Sequence, residues 1–239
     1  MFNIGTRREL FVDDLLIDRM DGVTRNLQKP MPGGTAIHYE QAWESSIAFY
    51  TTVLHDGHVF RMYYRASNVS FPPTPRPPSA TCYAESTDGI NWTKPELGIV
   101  DLRGSKLNNA IFPDKPVYPF CPFFDKRTGV DPNQRYKAVA RHVGDDQRHL
   151  MGYDSPDGIH WRLISDKPIV MQTFENNFDS QNVAFWSEAE DCYVAYMRHM
   201  VGGRRSTSRA TSQDFLNWSD QTLMSYSDTD TTIPSQHLY

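Results

Sequence analysis

Three arginines recur at the same place in a repeated pattern, each closing a short run of β-forming residues. The runs are "FRMYYR" at 60–65, "YKAVAR" at 136–141 and "CYVAYMR" at 192–198, and they end in Arg65, Arg141 and Arg198. A guanidinium group presents paired N–H donors that fit a carboxylate or neighbouring hydroxyl groups. Such arginines can bind a ligand, hold an acidic group in place or form ion pairs within the fold, and the sequence leaves these roles open.

A histidine directly follows two of these arginines, at His142 and His199. Imidazole titrates near neutral pH and can donate or accept a hydrogen bond, so either histidine can position a substrate. A histidine at the edge of a cleft can equally be solvated and have no further role. Both remain candidates for substrate binding.

A second motif recurs farther along each unit: Ser-x-Asp, a tight turn and a tryptophan. It reads "STDGINW" at 86–92, "SPDGIHW" at 155–161 and "SQDFLNW" at 212–218. Serine and aspartate side chains cap the amides of such turns, glycine supplies a positive φ, and tryptophan packs between sheets. We therefore interpret the turns as scaffold and not as a site.

Short β-like runs surround both motifs, whereas helical periodicity is weak along the whole chain. Each arginine run is preceded by another apolar run, "SSIAFYTTVLH" at 45–55, "NAIFPDKPVYPFCPFFD" at 109–125 and "QNVAFWSEAE" at 181–190. Four-stranded antiparallel units repeated in tandem are typical of the blades of a β-propeller. The pattern predicts one all-β domain over 1–239, with blades at about 40–105, 106–174 and 175–226.

Propellers close with four to eight blades, so three predicted blades suggest an incomplete ring. The N-terminal run "ELFVDDLLID" at 9–18 is interpreted as a spare strand that completes a last blade.

The net charge and the distribution of apolar residues limit the classes of partner that the chain is expected to bind. With 24 Lys and Arg against 29 Asp and Glu, the net charge of -5 disfavours nucleic acid and anionic lipid. No apolar run approaches a membrane span, and no signal peptide is visible, so we expect a cytoplasmic location by default and leave an extracytoplasmic one open. The oligomeric state is not indicated.

The cysteines do not form a metal-binding pattern. Cys82, Cys121 and Cys192 are odd in number and far apart, without the paired spacing of a zinc site. We expect buried free thiols in preference to a disulfide, and neither a metal nor a cofactor.

Several of these motifs together resemble a known group of proteins. They are "SxDGxxWxKPxLG…GSKxNN" (86–109), "SPDGIHW" (155–161), "FDSQNVAFWSE" (178–188) and "SRATSxDFxNW" (208–218). Over nearly the whole chain they resemble bacterial glycoside-hydrolase-like five-bladed β-propeller proteins, of the invertase, levansucrase and arabinanase type. The resemblance implies a five-bladed propeller type with about three blades present here. It also implies hydrolysis of a glycosidic bond in a central funnel. A non-catalytic sugar-binding or assembly propeller, and a glycoside phosphorylase on the same fold, remain alternatives.

The resemblance also implies carboxylates near the starts of the inner strands of the first three blades. Glu44 holds this place in the first predicted blade and Asp179 in the third, whereas the second carries Asn108 and Asn109. We predict that Glu44 and Asp179 form a catalytic pair, since glycoside hydrolysis uses two carboxyl groups. The predicted substrate-binding residues are Trp43, Arg65, Asn109, Arg141, His142, Arg198 and His199. The missing acid of the second blade favours the non-catalytic alternative.

Overall fold

The computed structural model describes residues 4–5, 9–44, 47–67, 80–102, 104–112, 117–142, 149–171, 178–201 and 204–224. The chain forms two compact units, Met1–Thr35 and Ala36–Tyr239. In the first unit, residues 9–18 do not form the predicted spare strand. The Leu15 amide donates to the Asp13 side chain (3.0 Å), and the Ile17 amide donates to the Asp14 carbonyl (3.0 Å). The spare-strand prediction is wrong in this structure, because turns at Leu15 and Ile17 interrupt the run.

The second unit consists of three four-stranded antiparallel sheets, and each sheet follows chain order. The first sheet comprises β1 (Ile47–His55), β2 (Phe60–Ser67), β3 (Ala80–Ser86) and β4 (Ala110–Phe112). The second comprises β5 (Val117–Phe124), β6 (Tyr136–His142), β7 (Leu150–Ser155) and β8 (Arg162–Leu163). The third comprises β9 (Val183–Ser187), β10 (Cys192–Val201), β11 (Arg204–Ser212) and β12 (Thr222–Leu223). The predicted all-β class with three four-stranded sheets is confirmed.

Helices contribute little to the part of the chain that is described, where one short 3-10 turn covers Pro132–Gln134. Within the same residues, no helix has the length and apolar character needed to cross a membrane.

The boundary between the first two sheets differs from the predicted one near residue 105. Strand β4 pairs with β3, with Phe112 opposite Thr81, so the first sheet extends to residue 112. The run 109–125 is therefore divided between β4 and β5. Its sequence carries Pro113 and Pro116, which lack the amide hydrogen that a continuous strand would donate to a neighbour.

The three sheets pack through their inner strands, with β1 beside β5 and β5 beside β9. One apolar cluster joins the first two sheets and a second cluster joins the last two. Edge-to-face aromatic pairs occur in both, including Phe120 with Trp161 (4.9 Å between centroids) and Trp186 with Tyr193 (4.9 Å). Such pairs add about 0.5–1.5 kcal/mol each beyond burial of their area.

An aspartate–tyrosine hydrogen bond also crosses both sheet contacts. Asp56 follows β1 and accepts from the Tyr136 hydroxyl of the second sheet (2.6 Å). Asp125 follows β5 and accepts from the Tyr193 hydroxyl of the third sheet (2.7 Å). We call each aspartate, with its tyrosine and its cation, a polar latch.

The cation of each latch comes from the same sheet as its aspartate. Arg61 Nε donates to Asp56 (2.7 Å), and Lys137 Nζ donates to Asp125 (2.6 Å). Burial, together with the hydrogen bond to Asp56, raises the pKa of Tyr136 to about 12, so its hydroxyl remains a donor at neutral pH. The repeat therefore encodes the contact between sheets as well as the sheets themselves.

The Ser-x-Asp turns have the local structure predicted from their sequence. Ser155 Oγ accepts from the Gly158 amide (2.9 Å), Asp157 Oδ1 accepts from the His160 amide (2.8 Å), and the Trp161 indole donates to the Gly158 carbonyl (3.0 Å). In the third turn, Phe215 takes the place of glycine with a φ of 70° and is fully buried. The predicted structure of the turns is confirmed, because the serine and aspartate side chains bond to amides inside the turns.

Gly158 is expected to tolerate substitution less well than another glycine of similar backbone conformation. Its φ is 76°, and an added Cβ would lie 2.8 Å from the Tyr63 hydroxyl. Gly129 has a φ of 77° and nothing within 4 Å of an added Cβ. Gly129→Ala should cost about 1–2 kcal/mol of unfolding free energy from backbone strain, and Gly158→Ala about 1–3 kcal/mol more from the clash. Urea denaturation of both variants measures the difference, and equal losses would contradict the expectation.

Candidate functional site

The segment 178–182, which leads into β9, presents Asp179 between two arginines. Asp179 Oδ1 accepts from Arg141 Nη1 (3.0 Å), and Oδ2 accepts from Arg198 Nη1 (2.6 Å). Arg141 belongs to the second sheet and Arg198 to the third. The aspartate side chain is 43% exposed, while the arginine side chains are 12% and 8% exposed. Largely buried guanidinium groups therefore hold an accessible carboxylate.

Backbone constraints fix the position of Asp179. Phe178 precedes it with a φ of 59° and a fully buried side chain. Asn182 clamps the segment, because its Oδ1 accepts from the Arg198 amide (3.0 Å) and its Nδ2 donates to the Ser180 carbonyl (2.8 Å). A non-glycine residue at positive φ is strained and persists only where surrounding contacts enforce it. The carboxylate is thus preorganised.

Two polar atoms beside Asp179 are buried without a protein partner in the described part of the chain. They are Ser180 Oγ and Arg198 Nε. Buried polar groups are nearly always hydrogen-bonded. An unsatisfied one therefore marks a place where the fold tolerates a loss of stability. Two of them next to one exposed carboxylate distinguish this location from the scaffold turns.

A further residue of the segment, Gln181, contacts the inner strands and was not among the sequence-predicted site residues. Its Nε2 donates to Thr52 Oγ1 of β1 (2.6 Å) and to Cys121 Sγ of β5 (3.5 Å). A register shift interrupts β1 between Phe49 and Thr52. The only sequence signal was a long polar side chain directly before an inner strand, which is too common to identify a site.

Glu44 lies in a different environment from Asp179. It is completely buried, and its Oε2 accepts from Lys94 Nζ (2.7 Å) and from the Gln41 amide (3.0 Å). Its Oε1 accepts from the Tyr64 hydroxyl. Burial raises the pKa of Tyr64 well above its ordinary value, and the neighbouring Cys82 and Glu44 raise it further.

Trp43 and Asn109 join the network of Glu44. The Trp43 indole donates to Asn109 Oδ1 (2.9 Å), and Asn109 Nδ2 donates to the Tyr64 hydroxyl (2.8 Å) and to the Tyr83 carbonyl (2.7 Å). Asn109 is buried, and Trp43 packs against the apolar cluster on the face of the first sheet that points away from the second. In this arrangement the amide of Asn109 is engaged by the protein.

The remaining predicted residues take varied positions. Arg65 shares the strand face of Tyr63, which points toward the second sheet, and is partly buried. His199 is buried, and burial lowers its pKa, which favours the neutral imidazole. His142 ends β6, but its side chain lies outside the described residues. The structure thus brings Asp179 together with Arg141 and Arg198, and holds Glu44 with Trp43 and Asn109 in a separate network.

The three cysteines are free and buried, as predicted from their spacing. Over the described ranges, no three His, Cys, Asp or Glu side chains are grouped as metal ligands.

Comparison with known proteins gives similarity at the level of the fold. No family model and no curated protein matches the chain. A fructofuranosidase from Schwanniomyces occidentalis in complex with fructosylnystose is 13% identical, with a TM-score of 0.53 over 80% of this chain and 39% of that one. An N-acetylgalactosamine deacetylase from F. plautii in complex with blood group B trisaccharide is 13% identical, with a TM-score of 0.51 over 73% and 51%. A β-fructofuranosidase from Bombyx mori is 13% identical, with a TM-score of 0.51 over 74% and 34%.

The chain spans about half the length of the solved structures that it matches, or less. At these identities the likeness concerns the fold and not the reaction. The three four-stranded sheets of this chain therefore have the blade architecture of the β-propeller fold that the repeated pattern predicted.

Proposed function

We propose that this chain provides the sugar-binding site of an enzyme that cleaves a glycosidic bond, with Asp179 as the carboxylate that contacts the substrate. We call this site, formed by Asp179 with Arg141 and Arg198, the mouth. The observation that carries the proposal is the half-exposed Asp179 carboxylate, held by two largely buried arginines from adjacent sheets. A carboxylate fixed in this way can accept hydrogen bonds from sugar hydroxyls and can stabilise positive charge that develops at a reacting carbon. Structures of the same fold with bound fructosylnystose and blood group B trisaccharide support a carbohydrate ligand.

Hydrolysis would require a second carboxyl group near the first. Retaining enzymes place the two about 5–5.5 Å apart, and inverting enzymes about 6.5–9.5 Å apart. The pairing of Asp179 with Glu44 stays a prediction, since Glu44 would have to exchange its contact with Lys94 for the substrate.

A non-catalytic sugar-binding propeller is the second candidate. The observation that favours it is the complete burial of Glu44 in an ion pair, which leaves Asp179 as the accessible member of the predicted pair. A phosphorolytic reaction at the same mouth is a further variant of the enzyme, because arginines can also bind phosphate.

A ligand panel separates these functions. We expect the chain to bind at least one of fructosylnystose, blood group B trisaccharide, arabinotriose and β-1,2-mannobiose, as measured by calorimetry, and chromatography should then show its cleavage. Cleavage that requires added inorganic phosphate would indicate the phosphorylase, and binding without products would favour the second candidate. Failure to bind any of the four would contradict the proposed function.

Glu44→Gln tests the second carboxylate. The unfolding free energy should fall by about 1–3 kcal/mol, because Lys94 loses its charged partner in a mostly buried place. Sugar affinity should stay within about twofold of the unmodified chain, because the Asp179 contacts remain. The exposed Glu96 gives the matched control, Glu96→Gln, with an expected change within about 0.5 kcal/mol.

Turnover of Glu44→Gln, measured well below its unfolding temperature, decides its role. A loss of more than about 100-fold with binding intact would make Glu44 the second carboxylate. Full turnover would remove it from the catalytic pair and leave it as the buried partner of Lys94.

A further inference from the structure

We propose that Gln181 determines which sugars the mouth accepts, by accepting a hydrogen bond at its Oε1 from one ring hydroxyl of the bound sugar. The inference rests on the proposed function, in which a sugar binds at Asp179. Gln181 lies two positions after Asp179, in the segment that Asn182 clamps. Its side chain is partly exposed, so a ligand can reach it.

The hydrogen bonds of the Gln181 amide leave one group available. Nε2 donates to Thr52 Oγ1 (2.6 Å) and to Cys121 Sγ (3.5 Å). Oε1 has no hydrogen-bond partner among the described residues. The amide therefore presents an acceptor to whatever approaches it.

The orientation of this amide is held by two inner strands. Thr52 Oγ1 donates its own hydrogen to Cys121 Sγ (3.7 Å), so it can accept from Gln181. Burial raises the pKa of the Cys121 thiol, which keeps a thiolate from forming there at neutral pH. Because Thr52 lies in β1 and Cys121 in β5, rotation of the Gln181 side chain would break contacts to two sheets at once.

A fixed acceptor selects for a hydroxyl donor at one position of the sugar. A neutral sugar with a hydroxyl there gains a hydrogen bond, whereas a deoxygenated sugar leaves the amide oxygen unpaired in a partly desolvated place. The substrate class is thus a sugar with a free ring hydroxyl facing Gln181.

The test combines changes in the protein with changes in the ligand. The probes are the methyl glycosides of D-fructose, D-galactose and D-mannose, each with its singly deoxygenated analogues, and affinity is measured by saturation-transfer NMR. Gln181→Leu should weaken the parent glycoside that binds by about three- to tenfold. It should not weaken the one analogue that lacks the hydroxyl facing Oε1. A merely structural role would weaken the parent and all analogues alike, and that result would overturn the assignment.

Two further variants serve as controls for this interpretation. Thr52→Val removes the acceptor that orients Nε2 and should weaken the parent glycoside in the same direction as Gln181→Leu, by less. Gln213→Leu alters an exposed glutamine in the third scaffold turn and should change no affinity.

The outcomes distinguish this inference from the proposed function on which it rests. If Asp179→Asn weakens binding of the parent glycoside while Gln181→Leu leaves every affinity unchanged, the role proposed for Gln181 is wrong. The proposal that a sugar binds at Asp179 is then still supported. If the unmodified chain binds none of the glycosides, the mouth itself is wrong and the inference fails with it.

Discussion

Asp179→Asn should lower turnover of a bound glycoside by about 10²- to 10⁴-fold, the range expected for loss of a positioned catalytic carboxylate. Sugar affinity should fall by about tenfold or more, because hydrogen bonds to a charged acceptor are stronger than those to an amide. Asparagine keeps the size of the side chain but removes the charge between Arg141 and Arg198. The unfolding free energy should fall by about 1–3 kcal/mol, because Arg141 and Arg198, whose side chains are 12% and 8% exposed, lose their charged partner.

Asp157→Asn is the matched control for this substitution. Asp157 is similarly exposed, at 45%, but it lies in the second scaffold turn, which follows β7. The end of β7 pairs with the start of β6, whereas Arg141 lies near the other end of β6, so Asp157 is about one strand length away from it. Turnover and affinity should be unchanged. Turnover of Asp179→Asn within about twofold of the unmodified chain would contradict a role for Asp179 in the reaction.

Asp157 also makes its own contribution to the pH dependence of the unfolding free energy. Burial by itself raises the pKa of Asp157, but hydrogen bonds from the His160 amide and side chain and from the Ile159 amide outweigh it, and the pKa falls to about 2. Asp157 therefore stabilises the fold above about pH 4, the ordinary range of aspartate, and this contribution is lost as the pH falls from 4 toward 2. Asp157→Asn should lack that part of the acid dependence of stability.

Lys137→Met should lower the unfolding free energy by about 3–5 kcal/mol, the largest effect on stability expected here. Lys137 is the cation of the second polar latch, and its partner Asp125 is fully buried. Burial lowers the pKa of Lys137, and the hydrogen bond to Asp125 opposes that change. Methionine fills the same space but leaves the Asp125 carboxylate buried without the bonded positive charge of Lys137.

Urea denaturation of three variants tests the latch. Arg209→Met breaks the half-exposed ion pair with Glu190 and should cost less than about 1 kcal/mol. Asp125→Asn combined with Lys137→Met should be more stable than Lys137→Met alone, because asparagine still accepts hydrogen bonds but carries no buried charge. A loss below about 1 kcal/mol for Lys137→Met would show that Asp125 does not depend on its cation.

Local patterns in the sequence were sufficient where the decisive contacts span few residues. In the scaffold turns, the Ser155 and Asp157 side chains bond to amides two or three positions away, so the residue types alone specify the structure. The strand alternation likewise placed Arg141 and Arg198 at equivalent positions of β6 and β10, and both reach Asp179. Whether Asp179 takes part in a reaction is still a prediction.

The boundary between the first two sheets could be located only from the pairing of the strands in the structure. Asn109, where the sequence suggested a missing acid of the second blade, precedes β4 and belongs to the first sheet. The place before β5 that corresponds to Asp179 is 113–116, which contains Asp114 and lies outside the described residues. The argument that an acid is missing from the second sheet therefore does not hold.

Sequence by itself determined the repeat, the scaffold turns and the register of the arginines, because a strand alternates every two residues and a turn closes within a few. Tertiary structure decided the environments of Glu44 and Asp179, which both precede an inner strand yet have different partners. Glu44 pairs with Lys94, 50 positions away, and is buried, whereas Asp179 meets Arg141, 38 positions away, and stays accessible. Gln181 reaches Thr52 across 129 positions. Contacts over such separations depend on how the sheets pack against one another, and spacing along the chain does not encode that.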